Sequence, residues 1–144
     1  NITIEKNFAA NTLTCHGDAN QLEQVFLNLI TNARDAITSR AELAGAFEAF
    51  KGRLEITIRL SEQDEAVVEV LFKDNGIGVS KDHMAKIFDP FFTTKPIGKG
   101  TGLGLSVCYG IINEMGGKMD VKSVPDKGTS FFIHIPVSER KEKR

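Results

Sequence analysis

Asn28, Asn32 and Asp35 fall at i, i+4 and i+7, a spacing that sets three polar side chains on one face of a helix. Amide and carboxylate oxygens are hard ligands. They suit Mg²⁺, which keeps several waters and leans on substrate phosphates. A stripe of this kind at a helix margin fits a plain solvent edge equally well. A second group is Asp74-Asn75-Gly76-Ile77-Gly78, directly after a β-like run. Asn-Gly is a turn signal in its own right. Gly78 adds room for close backbone approach, and Asp74 at a strand end offers a carboxylate acceptor suited to an exocyclic amino group. A third is Gly98-Lys99-Gly100-Thr101-Gly102-Leu103-Gly104, which runs into a helical pattern. Glycines expose N–H groups, and a helix N-terminus attracts phosphate. No acid lies between Pro90 and Asn113, whereas Lys95 and Lys99 do. The loop is not a Walker motif, because Gly100 follows Lys99. It is not a dinucleotide fingerprint, because no strand precedes it. Alone it also reads as a hinge.

The elements that must hold these groups follow from periodicity. Ile2 and Ile4 alternate with polar residues, and Leu13 to Cys15 reads as another short strand. Asp18 is an N-cap, with Gln21 at capping-box distance. Leu22, Val25, Phe26, Leu29, Ile30, Ala33 and Ile37 then predict a helix from about Ala19 to Ser39. Arg40 to Gly52 either extends that helix or forms a short second one. Arg53 to Leu60 and Ala66 to Lys73 predict an antiparallel hairpin. Ser80 to Phe88 predicts a short helix, Asp89 to Gly102 a loop, and Leu103 to Met115 a helix stopped by Gly116-Gly117. Lys118 to Val124 and Thr129 to Val137 predict a closing hairpin. The charged tail 138–144 reads as frayed. Phe88, Phe91 and Phe92 beside the glycine loop suit either core or an anchor for a lid. Helices on one face of a mixed, mostly antiparallel sheet is the economical packing: an α+β two-layer sandwich in one domain, residues 1–137.

Composition sets limits on function. With 144 residues and a net charge of −1, the chain suits one self-sufficient core and gives no electrostatic case for nucleic acid or an anionic membrane. No run approaches the ~20 apolar residues that cross a bilayer, and Asn1 to Asn11 lacks a signal-peptide pattern. Two cysteines are too few for a disulfide framework or a zinc site, and Cys108, among aliphatic residues, reads as a small buried hydrophobe. The reading is of a reducing, cytoplasmic compartment, any membrane anchor lying elsewhere in the parent protein.

Together these segments resemble the catalytic and ATP-binding domain of sensor histidine kinases. Gln24 to Ala33 looks like the family's N box, Asp74 to Gly78 like its first glycine box, and Phe88 to Phe92 like its F box. Gly100 to Leu105 looks like the second glycine box and Gly128-Thr129 like the closing one. The wording Asp-Pro-Phe-Phe-Thr-Thr-Lys is most similar to the nitrogen-regulatory and dicarboxylate-sensing branch. The resemblance implies a Bergerat ATP-binding fold with a lid over about residues 89–102. It implies that Asn32 coordinates Mg²⁺ with Asn28 assisting, and that Asp74 accepts from the adenine amino group with Gly76, Gly78 and Thr129 near the base. It further implies that Gly100, Thr101, Gly102, Leu103 and Gly104 meet the phosphates, with Lys95 and Lys99 as weaker candidates. Two features depart from the pattern. Asp35 stands where many relatives carry a phosphate-binding Lys, so the charge must come from elsewhere, such as Arg34 or the lid. Arg40 to Gly52 is longer than the usual connection.

Gyrase-type ATPases share the fold but carry a Glu one turn before the Mg²⁺-binding Asn, as general base for water. Here that position is Asn28, and an amide cannot take a proton. The implied activity is therefore presentation of the γ-phosphate to a histidine on a separate dimerisation and phospho-acceptor domain, upstream of a response regulator. A conformational ATPase and a non-catalytic nucleotide-binding module are the alternatives. None of His16, His83 and His134 is followed by the acidic residue that marks the family's acceptor, so the acceptor is expected outside these residues.

Overall fold

The computed structural model describes residues 2–9, 13–45, 49–93 and 104–138. Five strands form one sheet: β1 (Ile2–Phe8), β2 (Gly52–Leu60), β3 (Val67–Asp74), β4 (Lys118–Val124) and β5 (Gly128–Pro136). Their spatial order is β1-β2-β3-β5-β4. β1 runs parallel to β2, and every other pairing is antiparallel. The helices are α1 (Ala19–Leu43), the single turn α2 (Lys81–Met84) and α3 (Gly104–Glu114). α1 packs on β2, β3 and β5 and against α3, which covers β4. The two-layer α+β sandwich inferred from the sequence is the fold observed. Among the described residues, no helix is long and apolar enough to cross a membrane.

The core follows from two periodicities. Val25, Leu29, Ala33, Ile37 and Ala41, each four residues after the last, form the buried stripe of α1. Alternate residues of the central strands meet it: Leu54 and Ile56, Val68, Val70 and Phe72, and Phe131, Ile133 and Ile135. The opposite sheet face carries charge. Arg59 bonds Glu69 at 2.9 Å, Glu69 meets His134 at 3.2 Å, and Arg53 reaches Glu5 at 2.7 Å. One face is thus sealed by helices and the other built for water.

Four elements differ from their predicted bounds. α1 continues past Ser39 to Leu43, because Ala41 is buried and Arg40 is engaged in tertiary contacts. The Arg40 guanidinium donates to the Asn75 carbonyl at 2.7 Å and lies 5.0 Å from the centre of the Phe50 ring. Those contacts give part of the long Arg40 to Gly52 connection a role. Leu13 to Cys15 is no strand: Cys15 makes an isolated bridge to Val137, and Thr14 bonds Ser138 through backbone and side chain. Ser138 is therefore held, and the rest of the expected tail lies outside the described residues. The helix expected over Ser80 to Phe88 is one turn, followed by bonds at three-residue spacing from Lys86 to His83 and Asp89 to Lys86. Pro90 disfavours helical geometry at Asp89, so the segment cannot run on as a helix. Residues 94–102, most of the lid expected over about 89–102, lie outside the described residues. So do Lys95, Lys99, Gly100, Thr101, Gly102 and Leu103.

Two glycines with positive φ separate backbone need from packing need. Gly78 has φ +75, and an added Cβ would collide with the Val124 carbonyl; Gly45 has φ +65 and nothing within 4 Å. Gly45→Ala should cost about 1 kcal/mol of unfolding free energy, for the left-handed backbone alone. Gly78→Ala should cost more than 2 kcal/mol, since β4 cannot retreat without breaking its pairing with β5. Chemical denaturation of the two variants, read side by side, checks the difference.

Candidate functional site

Asp74 ends β3 on the helix-covered face and is 7% exposed. Its Oδ1 accepts from the Gly76 N–H at 2.8 Å and from the Thr129 N–H at 3.3 Å. Both bonds end on the same oxygen. Oδ2 makes no hydrogen bond among the described residues, so it remains an acceptor for a ligand. Burial pushes the carboxyl up to about 6, and the bonds from Gly76 and Thr129 offset only part of that rise.

Thr129 sits opposite Asp74 across β3 and β5, and opposite Ser123 across β5 and β4. It is 5% exposed. Asp74, Thr129 and Ser123 thus form one row across three adjacent strands. The Ser123 hydroxyl lies 2.8 Å from the Val79 nitrogen, 2.9 Å from the Gly128 carbonyl and 2.8 Å from Thr129 Oγ1. Ser123 did not stand out in the sequence, because only the strand register brings it to this row.

The Asp-Asn-Gly-Ile-Gly loop closes one end of the row. Asn75 is its clamp, accepting from the Arg53 N–H at 2.7 Å and donating to the Lys51 carbonyl at 2.9 Å. Ile77 donates to the Ala36 carbonyl of α1 at 2.9 Å. An added Cβ on Gly76 would meet the Ala36 and Ile37 backbone at 2.6 to 2.8 Å. Gly128, at φ +134, likewise lies against the Asp74 carbonyl. The close approach expected at Gly78 is made by the chain's own backbone, β4, and Gly76 lies as tightly against α1.

Asn28 and Asn32 are half-buried on α1. Asn28 Nδ2 donates to Cys108 Sγ at 3.6 Å, and that thiol points to the Val25 carbonyl at 3.9 Å. Burial pushes the Cys108 thiol up, so it stays neutral and its sulfur keeps a lone pair for the amide. With its nitrogen so engaged, Asn28 keeps Oδ1 for a further partner. The Asn32 side chain makes no hydrogen bond among the described residues. A Cβ added to Gly104, the first residue of α3, would come 3.8 Å from the Asn28 side chain, an ordinary contact. Arg34 bonds Asp35 at 3.2 Å, which engages the cation considered as a substitute for the missing Lys.

α1 therefore links the parts. It touches the Asp74 loop at Ala36 and α3 at Asn28, eight residues or about 12 Å apart along the axis. An acceptor lies at one end and the Asn28 amide at the other, against α3, with Asn32 midway between them along the helix. Phe88 and Phe92 pack on the core, Phe88 within 5.2 Å of the Tyr109 ring centre, whereas Phe91 is 74% exposed at φ 68.

Residues 17–139 match the family model described as histidine kinase-, DNA gyrase B- and HSP90-like ATPase. This chain belongs to that family. It is similar to a solved structure, the catalytic domain of histidine kinase ThkA. The two are 32% identical with a TM-score of 0.73, over 94% of this chain and 80% of that one. Sensor kinase CckA of Brucella abortus is 47% identical over 125 residues, 83% of this chain and 13% of that protein. Sporulation kinase E of Bacillus subtilis is 34% identical over the whole chain, 18% of its own length. The chain thus spans under a fifth of these curated relatives. Full-length ShkA, solved in complex with AMPPNP, is 27% identical with a TM-score of 0.74, over 95% of this chain and 26% of that one. These relatives do not single out the nitrogen-regulatory branch.

Raised from 3.8 to about 6, the Asp74 carboxyl binds its proton more tightly in the folded chain than in the unfolded one. Its contribution to stability is present below pH 3.8 and is lost as pH rises through about 6. The resulting burden at neutral pH is on the order of 3 kcal/mol. Asp74→Asn keeps an oxygen for both N–H donors and carries no charge. Thermal unfolding near neutral pH should show it more stable than the wild type, with the gap closing as pH falls toward about 4.

Proposed function

We propose that the chain binds MgATP and presents the γ-phosphate for transfer to a histidine on a separate dimerisation and phospho-acceptor domain. It would act as the catalytic domain of a sensor histidine kinase. A response regulator stands downstream, and the domain works on the cytoplasmic side of the cell. In this reading the nucleotide lies in a groove along α1, and the observation that carries it is that α1 touches both parts, the Asp74 loop at Ala36 and α3 through the Asn28–Cys108 bond. The family match and the histidine-kinase relatives support the same reading.

The donors fit their ligands chemically. Asp74 Oδ2 accepts from the adenine amino group, a charge-assisted bond in a site with little water. Thr129 lies beside it, bonded through its N–H to Asp74 Oδ1. No group of three or more His, Cys, Asp or Glu residues among the described residues could hold a metal by itself. Mg²⁺ suits this poverty, since it relies on phosphate oxygens and water and needs few protein ligands. Asn32 and Asn28 offer it amide oxygens. When bound, Mg²⁺ neutralises charge on the transferring phosphoryl group. The protein's own work is positioning: α1 fixes the amides, the row on the sheet fixes the base, and Gly104 admits phosphate beside Asn28. Lys95, Lys99, Gly100, Thr101, Gly102 and Leu103 belong to the segment that closes over the phosphates in this reading.

Asn28 argues for transfer over hydrolysis, because no carboxylate stands where a water-activating base is needed. Among the histidines, His134 pairs with Glu69 on the far face of the sheet and His83 lies against the Phe92 ring, and neither belongs to the groove.

Calorimetry should show MgATP binding by the wild type. Asp74→Asn, which replaces the free acceptor with a donor, should weaken it at least about tenfold. Asn32→Ala should abolish most of the gain in affinity that Mg²⁺ confers. With γ-labelled ATP, the chain alone should retain no stable label; when an acceptor domain is added, label should appear on that domain and not on this chain. Unaltered binding by Asp74→Asn would show that the carboxylate does not hold the base.

A further inference from the structure

The Ser123 hydroxyl has one hydrogen and three polar neighbours. The Val79 N–H can only donate to it, at 2.8 Å. The Gly128 carbonyl can only accept, at 2.9 Å. Two oxygens at that distance repel unless a proton lies between them, so the serine hydrogen points to Gly128. The remaining 2.8 Å contact, to Thr129 Oγ1, then takes the hydrogen of Thr129. Its hydroxyl is thereby spent as a donor, and only lone pairs are left for any further partner. Next to it on the same row stands Asp74 Oδ2, a second group that only accepts.

We infer that Ser123 is a positioning residue for base selection: it fixes the Thr129 hydroxyl as an acceptor beside Asp74. The site therefore favours a purine with an amino group at position 6 over one with a carbonyl there. This rests on the nucleotide-binding reading above and adds a source of specificity to it. An amino group brings two N–H donors to two waiting acceptors. A 6-oxo group brings lone pairs against lone pairs, and a threonine free to rotate would relieve half of that conflict by donating. Ser123 loses that rotation for Thr129 without touching the ligand.

The test compares dissociation constants of the purified 144-residue chain for MgATP and for MgITP, whose base carries a carbonyl at position 6. The wild type should prefer ATP. In Ser123→Ala that preference should shrink about tenfold, the scale of one hydrogen bond made or lost. Ser123→Thr, which keeps the hydroxyl, should restore it. A role limited to holding the β4–β5 turn would lower both affinities together and leave their ratio alone, and that result overturns the inference. Thr129→Val covers the case in which Ser123→Ala fails to fold. It keeps the shape and lacks the hydroxyl, and the preference should shrink there as well, since only Asp74 remains to discriminate; retention of the wild-type ratio would overturn the inference. A wild type that binds neither nucleotide would remove the MgATP reading and this inference with it. A wild type that binds both equally would remove the inference alone.

Discussion

Asp74 holds its carboxyl in a place nearly closed to water, with two backbone N–H groups on one oxygen and, among the described residues, none on the other. That asymmetry organises much of the molecule. The Gly76 donor exists because the loop turns sharply after β3, and the turn is possible because Gly76 lies against bare α1 backbone. The Thr129 donor exists because β5 pairs with β3 in one register. A slip of one residue would carry Thr129 to the charged face and leave the carboxylate half-held. Sheet register, loop geometry and the position of α1 all converge on one oxygen atom.

The arrangement opposes stability to use. Burial pushes Asp74 toward its neutral form, yet the reading of its role requires the charge. A partner that donates to Oδ2 repays in binding what the empty site loses in folding. At the other end of the groove the polar groups are neutral amides. Cys108 orients Asn28 without adding charge, which suits a place meant to gather anionic phosphate and a cation together. The opposite face of the sheet holds its ion pairs at the surface, where they add little to stability and serve mainly solubility.

Much of this was legible in the sequence, and the exceptions share a cause. The buried stripe of α1 announces itself through its four-residue spacing, and the four hairpin strands through alternation. Asp74, Asn28 and Asn32 could be singled out because their residue types are unusual at the end of a strand or the margin of a core. The last turn of α1 stays open in the sequence between an extension and a second short helix, and it is Arg40, held by Asn75 and Phe50 from distant parts of the sequence, that goes with the extension. The Leu13 to Cys15 strand was overread, since alternation over three residues does not say whether a partner strand lies alongside. Gly78 suggests close approach by a ligand, but what approaches Gly76 and Gly78 is α1 and β4, which only the fold reveals. Ser123 and Cys108 look like ordinary strand and helix residues until register and packing set them beside Thr129 and Asn28.

The free oxygen of Asp74 is open to direct observation. Carbon-13 NMR of its side-chain carboxyl, followed through a pH titration, should give a midpoint near 6 in the nucleotide-free chain. With saturating MgATP the midpoint should fall, because an amino group donating to Oδ2 favours the charged form. A midpoint that stays where it was when the nucleotide is bound would mean that no donor meets that oxygen, and the account of the site would not stand.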